Sequence, residues 1–305
     1  MKRVNHSIDR NNRLLIVGCG YVGERVAKLA QATGQTVFAM TRSQSRFEEL
    51  HDLGVEPVIG HWLSPSSLAN LPRVDSILIS IPHRSDHADS QSLSADESQQ
   101  THAIGLEHLL NALPTGWQKL IYLSTTGVYG QSEATPVTED TPVSPTRLGP
   151  QIAVAGEQWL CHHLSQEQFT VLRLAGIYGP GRIPLAEKLR QGEPLSVPRA
   201  GCLNLVHVDD IARMVCIVNQ RRMHQSIYVF SDGHPVHRET FYLRLAELCG
   251  VAAPIFVEPD PADAKARRAT DKRIDPSRLT TETQFEYLFP DYDSGLSAAI
   301  SIPPR

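Results

Sequence analysis

The sequence predicts an α/β protein: a doubly wound parallel sheet followed by a smaller C-terminal lobe. Three observations carry that reading. A glycine loop, Gly18-x-Gly20-x-x-Gly23, stands between a short apolar run and a stretch with helical spacing. Strand and helix signals then alternate as far as about residue 176. Beyond it proline and glycine cluster, in IYGPGRIP and QGEPLSVPRAG, and the alternation stops.

Leu14 to Val17 are continuously apolar, the mark of a strand buried on both faces. Val22, Val26 and Leu29 recur at helical spacing, and Gly34 ends that helix. Thr36 to Met40 form a second strand. The three glycines have different tasks. Gly18 permits a tight turn, Gly20 lets a pyrophosphate approach the backbone, and Gly23 lets the helix pack on the strand. A phosphate there meets free N–H groups at the positive end of the helix dipole. The arrangement is the dinucleotide-binding one of a Rossmann-type sheet, with Tyr21 and Val22 among the expected contacts. The end of the second strand selects the cofactor. NAD binders place an acid there, whereas this chain has Thr41-Arg42-Ser43. A guanidinium holds a 2′-phosphate bidentately, so Arg42 favours NADP(H) over NAD(H).

Further strands are expected at Val55 to Ile59, Ser76 to Ile81, Leu120 to Ser124 and Val171 to Ala175, and a helix at Ala103 to Leu113. HRSDHADSQSLSADESQQ reads as a loop or the start of a helix. Ligands sit beyond the carboxyl ends of such strands, which adds Ser80 and Ile81 to the expected cofactor contacts. Helices follow at Asp209 to Asn219 and Arg238 to Cys249, with a short one near the end. The expected organisation is a flexible tail over residues 1–12, a Rossmann domain over 13–176 and a smaller mixed lobe over 177–305, of which 204–220 packs back on the Rossmann domain.

With 305 residues, 41% apolar and 20% charged, the chain can bury a real core. A net charge of −4 gives no sign of a nucleic-acid surface. Five scattered cysteines without a C-x-x-C pair suit reduced thiols. No apolar run spans a bilayer, and the first residues lack the apolar core of a signal peptide. A cytoplasmic protein with no membrane partner is expected.

Four segments extend the picture. STTGVYG at 124–130 resembles the S-S-x-x-V-Y-G segment of extended short-chain dehydrogenases/reductases, the nucleotide-sugar epimerase/dehydratase superfamily, and VTEDTPVSP at 137–145 its acidic, proline-containing loop. LRLAGIYGPGR at 172–182 is similar to its L-R-x-x-x-x-Y-G-P-G, and NLVHVDDIARMV at 204–215 to its H-V-x-D signature. The tail QFEYLFPDYDSGL resembles that of an atypical, YeeZ-like branch. The resemblance implies a nicotinamide dinucleotide cofactor, a small sugar- or carbonyl-type substrate and a homodimer through sheet-flanking helices.

One departure bears on chemistry. The superfamily pattern is Y-x-x-x-K with a glutamate four residues after the lysine. Glu157 matches that glutamate, and counting back places Ala153 at the lysine and Gly149 at the tyrosine. Neither can move a proton or lower a phenol pKa. The third member of the pattern survives as Thr125. Replacement acids are sought at the strand ends: Tyr129, close to Thr125, and His83, which follows the fourth strand. Arg84 and Tyr178 stand where they would bind substrate, although both tyrosines also suit packing roles and His83-Arg84 a loop. Gly60-His61-Trp62 stands where the superfamily has G-D-x, so His61 and Trp62 either meet adenine or form a loop tip. His207 reads as structural. His234 and His237 lack a third ligand, and no metal site is expected. KARRATDKRIDPSR, 265–278, either holds a substrate anion across the cleft or is a solvated face. Two functions fit: an NADP(H)-dependent oxidoreductase or epimerase-like enzyme with a remodelled site, and an inactive NADP(H) sensor.

Overall fold

The computed structural model describes residues 12–83, 95–130, 136–260 and 271–301. Arg84 and all but Asn12 of the expected tail lie outside them. In chain order the elements are β1 (Arg13–Val17), α1 (Gly23–Ala32), β2 (Thr36–Thr41), α2 (Phe47–Asp52), β3 (Glu56–Ile59), β4 (Ser76–Ile79), α3 (Ala95–Ala112) and β5 (Lys119–Thr125). Next come β6 (Pro136–Val137), α4 (Leu148–His163), β7 (Phe169–Leu174), β8 (Gly176–Tyr178), α5 (Ala186–Arg190), β9 (Leu195–Ser196), β10 (Cys202–Leu203), β11 (Leu205–His207) and α6 (Val208–Gln220). Then follow β12 (Ile227–Phe230), β13 (Val236–His237), α7 (Arg238–Cys249), β14 (Phe256–Val257), β15 (Arg273–Ile274), α8 (Ser277–Thr283) and α9 (Tyr292–Ser301).

Seven parallel strands form the main sheet, in the order β12-β7-β5-β4-β1-β2-β3. The chain reverses direction across the sheet at β1, whose neighbours are β2 and β4, so a crevice opens beyond the carboxyl ends of β1 and β4. The edge strand β12 was not among the strands expected from sequence. Its IYVF run lies in the proline- and glycine-rich half, yet it returns to pair with β7, Ile227 opposite Val171.

Burial on both faces explains the unbroken apolar runs. Along β5, Leu120 and Tyr122 enter a core with Trp62, Leu106 and Leu160, while Ile121 and Leu123 enter a second with Val26 and Ile211. The helix α6 packs against α1, where Arg25 Nε meets Asp209 Oδ1 at 2.9 Å. A separate cluster holds Tyr178, Phe241, Tyr242, Leu245 and Leu296, all from the chain beyond β7. Asp210, fully buried, accepts the N–H groups of Leu288 (2.7 Å) and Phe289 (2.9 Å) and so anchors the tail segment. Among the described residues no helix is long and apolar enough to cross a membrane.

A buried ion pair locks the sheet to α4. Arg173 Nη2 lies 2.6 Å from Glu157 Oε2, with side-chain exposures of 6% and 4%. Ser124 Oγ donates to Glu157 at 2.5 Å, and Arg173 Nη1 donates to Tyr129 Oη at 2.8 Å. Breaking such a pair from one side strands a charge in the interior. Glu157→Ala is therefore expected to lower unfolding free energy by about 3–5 kcal/mol, read from urea titrations.

Candidate functional site

The three glycines of the loop stand in three different environments. Gly18 has φ +94°, and a Cβ there would lie 2.7 Å from the Ser80 carbonyl oxygen and 2.9 Å from Ile81 N. A Cβ on Gly23 would lie 2.9 Å from the Gly18 carbonyl oxygen and 3.1 Å from Ile16 Cγ2. At Gly20 nothing lies within 4 Å. The loop is thus closed on the protein side at Gly18 and Gly23 and open at Gly20, which is the cradle a pyrophosphate needs. Val22 is buried beneath it, at the start of α1. Tyr21 is half-buried; its hydroxyl donates to the Pro180 carbonyl (3.1 Å), and Arg25 and Arg182 stack over its ring at 4.2 and 5.3 Å. It therefore joins the glycine loop to the Y-G-P-G segment.

Arg42 and Ser43 follow β2 directly and are exposed. The Ser43 and Ser45 hydroxyls lie 2.8 Å apart. Sequence reading missed Arg46, whose Nη1 donates to the Cys19 carbonyl at 2.7 Å and whose Nε and Nη2 hold Glu49 at 3.0 and 2.9 Å. Its only signal was a second arginine four residues after the first.

Thr125 ends β5, half-buried, and its Oγ1 accepts the Gly127 N–H at 3.0 Å. Its own O–H keeps no protein acceptor among the described residues, so it can donate to a ligand. Tyr129 is only 2% exposed, its oxygen accepts from Arg173, and burial pushes its pKa up to about 12. Tyr178 is fully buried in the smaller lobe, where its hydroxyl donates to the Asp291 carbonyl at 3.3 Å; burial raises its pKa as well. Both side chains are buried, Tyr129 against Arg173 and Tyr178 against the Asp291 carbonyl.

His83 stacks on His102 with ring centroids 4.6 Å apart, and His102 Nδ1 lies 2.8 Å from Tyr122 Oη. Burial pushes the His83 pKa down to about 4, so its ring is neutral near pH 7. Trp62 is 3% exposed and meets His102 edge-on at 4.7 Å, in the space left by Gly105 on α3. The adenine contact considered for Trp62 is therefore overturned: its ring belongs to the core.

The backbone of His83 also meets α4 at Gly149. A Cβ on Gly149 would lie 2.8 Å from the His83 carbonyl oxygen. Backbone stands where a side chain at 149 would begin. Ala153, one helical turn on, is fully buried among Val128, Tyr129, Val137 and Ile274. Neither position has open space beside it.

Residues 14–229 match the NAD dependent epimerase/dehydratase family. Protein YeeZ of Escherichia coli (strain K12) is 29% identical over 290 residues, 92% of this chain and 97% of YeeZ. A functionally unknown conserved protein from Silicibacter pomeroyi is 25% identical at a TM-score of 0.73, covering 95% of this chain and 99% of its own. UDP-glucose 4-epimerase from Bifidobacterium longum, in complex with NAD+ and UDP, shares the fold at a TM-score of 0.73 and 18% identity, covering 95% of this chain and 97% of its own.

Two outcomes follow from this geometry. Gly149→Ala must push the His83 backbone aside, and is expected to lower stability by about 1–3 kcal/mol in urea unfolding. Asp232, just beyond β12, is 4% exposed with Oδ2 unpartnered, and burial lifts its pKa to about 7. The folded protein holds this proton from about pH 4, where an unfolded aspartate releases it, up to about pH 7. Its contribution to stability is therefore present at acid pH and lost as pH rises through 7. Asp232→Asn should gain melting temperature relative to wild type between pH 4.5 and 7.5, measured by calorimetry.

Proposed function

The chain belongs to the NAD-dependent epimerase/dehydratase family, and on that premise we propose that it binds NADP(H) and acts as an oxidoreductase or epimerase/dehydratase-like enzyme on a small sugar- or carbonyl-type substrate. The open face at Gly20, between the tightly packed Gly18 and Gly23, carries this reading. The backbone at Gly20 and the start of α1 would hold the pyrophosphate, with Ser80 and Ile81 walling the far side. Arg42 would hold the 2′-phosphate with Ser43 beside it. When bound, the nicotinamide supplies the hydride chemistry. Thr125 would orient a substrate oxygen by hydrogen bonding, and Tyr21 holds the glycine loop against the smaller lobe. The complex of the Bifidobacterium longum epimerase with NAD+ and UDP supports a dinucleotide and a nucleotide-sugar type of ligand in this fold.

The filled Gly149 and Ala153 positions favour one alternative, an NADP(H) sensor without turnover. A sensor needs unequal affinity for the reduced and oxidised dinucleotide, since equal affinity shifts no equilibrium. Titration of the purified protein with NADPH, NADP+, NADH and NAD+, followed by nucleotide fluorescence and calorimetry, separates these readings. We expect NADPH to bind more tightly than NADH. Arg42→Ala should weaken NADPH about 10- to 100-fold, the worth of a charge-assisted phosphate contact, and leave NADH unchanged. NADH binding as tight as NADPH, untouched by Arg42→Ala, would overturn the NADP assignment.

A further inference from the structure

Lys272, in the basic stretch 265–278, reaches the turn that follows Thr125. Around Lys272 the backbone is pinned on both sides. β15 pairs with β6, Arg273 opposite Pro136 and Ile274 opposite Val137. Asn204 donates to the Lys272 carbonyl and accepts from Ile274 N, both at 2.8 Å. The side chain then reaches the turn that follows Thr125: Lys272 Nζ donates to the carbonyls of Thr126 at 3.0 Å and Gly130 at 3.3 Å.

Three features set this ammonium apart. It has three N–H donors, and two are used by those carbonyls; the third has no protein partner among the described residues. No carboxylate pairs with it among the described residues, and the charge that reaches it is the Arg147 guanidinium just before α4. Ile274, two residues on, belongs to the same apolar cluster as Ala153, so the strap carrying Lys272 is anchored in the core that covers α4 at that position. Tyr129 and Tyr178 have their hydroxyls committed to the interior, and His83 is a neutral ring under α4.

We propose that Lys272 is the proton donor of the site: its third N–H meets the substrate oxygen on which negative charge develops, in the part the missing tyrosine would take. As the new O–H bond forms, the N–H bond breaks; the ammonium becomes a neutral amine and regains its proton from water. Burial, and then Arg147, push the Lys272 pKa down to about 8, close to what acid–base work near neutral pH requires. The inference rests on the enzymatic reading above, and Lys272 itself can be tested without turnover.

The first measurement is competitive acetylation of the full-length protein by acetic anhydride from about pH 6 to pH 11. Peptide mass spectrometry would follow Lys272, with the exposed Lys28 as internal reference. Lys272 should gain reactivity with a midpoint near pH 8. The second is NADPH-dependent reduction of 4-nitrobenzaldehyde. Lys272→Ala should lose about 10²- to 10⁴-fold in kcat with NADPH affinity unchanged, and added ethylamine should restore part of the rate. Lys272→Arg keeps the charge but does not release a proton near neutral pH, so it should stay slow. The proposal is overturned if Lys272 titrates together with Lys28 or never reacts, or if Lys272→Arg keeps the wild-type rate. A failure of NADPH to bind would instead remove the cofactor reading, and the acetylation profile would still report on Lys272.

Discussion

The interaction on which the site depends is the buried pair of Glu157 and Arg173. Glu157 is on α4 and Arg173 on β7, while Ser124 of β5 and Tyr129 of the following turn bond to the same pair. In a low-dielectric interior these partners have no solvent to fall back on, so their mutual geometry sets where α4 lies on the sheet. Ala153 and Gly149 stand one and two helical turns before Glu157, on the same helix face. Once Glu157 is placed, so are they, and Thr125 is placed with the turn that Tyr129 closes.

The surroundings have adapted to the small residues at those positions. The His83 backbone approaches Gly149 closely, and an apolar cluster that includes Ile274 covers Ala153. Behind His83, the rings of His102, Tyr122 and Trp62 fill the space under α3 and α4. Restoring one lost side chain would require moving backbone, because close-packed interiors have no slack for added atoms.

The cradle and the sheet were legible in the sequence because their determinants are local. Leu14 to Val17, the glycine spacing and the helical recurrence of Val22 and Val26 lie within a dozen residues, and the structure has β1, the loop and α1 where they predict them. Period and turn chemistry decide such elements without help from distant chain. The edge strand β12 was not legible: four apolar residues between turns carry no period, and only pairing with β7 makes them a strand. The roles of Tyr129, Tyr178 and Trp62 were illegible for the same reason. A tyrosine beside a strand end has one appearance in sequence, whether its hydroxyl faces a cleft or an arginine.

By itself, then, the sequence determined the family, the parallel sheet and the glycine loop, all properties of residue type and spacing along the chain. Tertiary structure alone decided which groups face the crevice. It turned Tyr129 toward Arg173, set the His83 carbonyl against Gly149, and brought Lys272 across some 146 residues of chain to the carbonyl of Thr126. Those outcomes depend on burial and on pairings between distant segments, and no local pattern encodes the partner a buried polar atom will find.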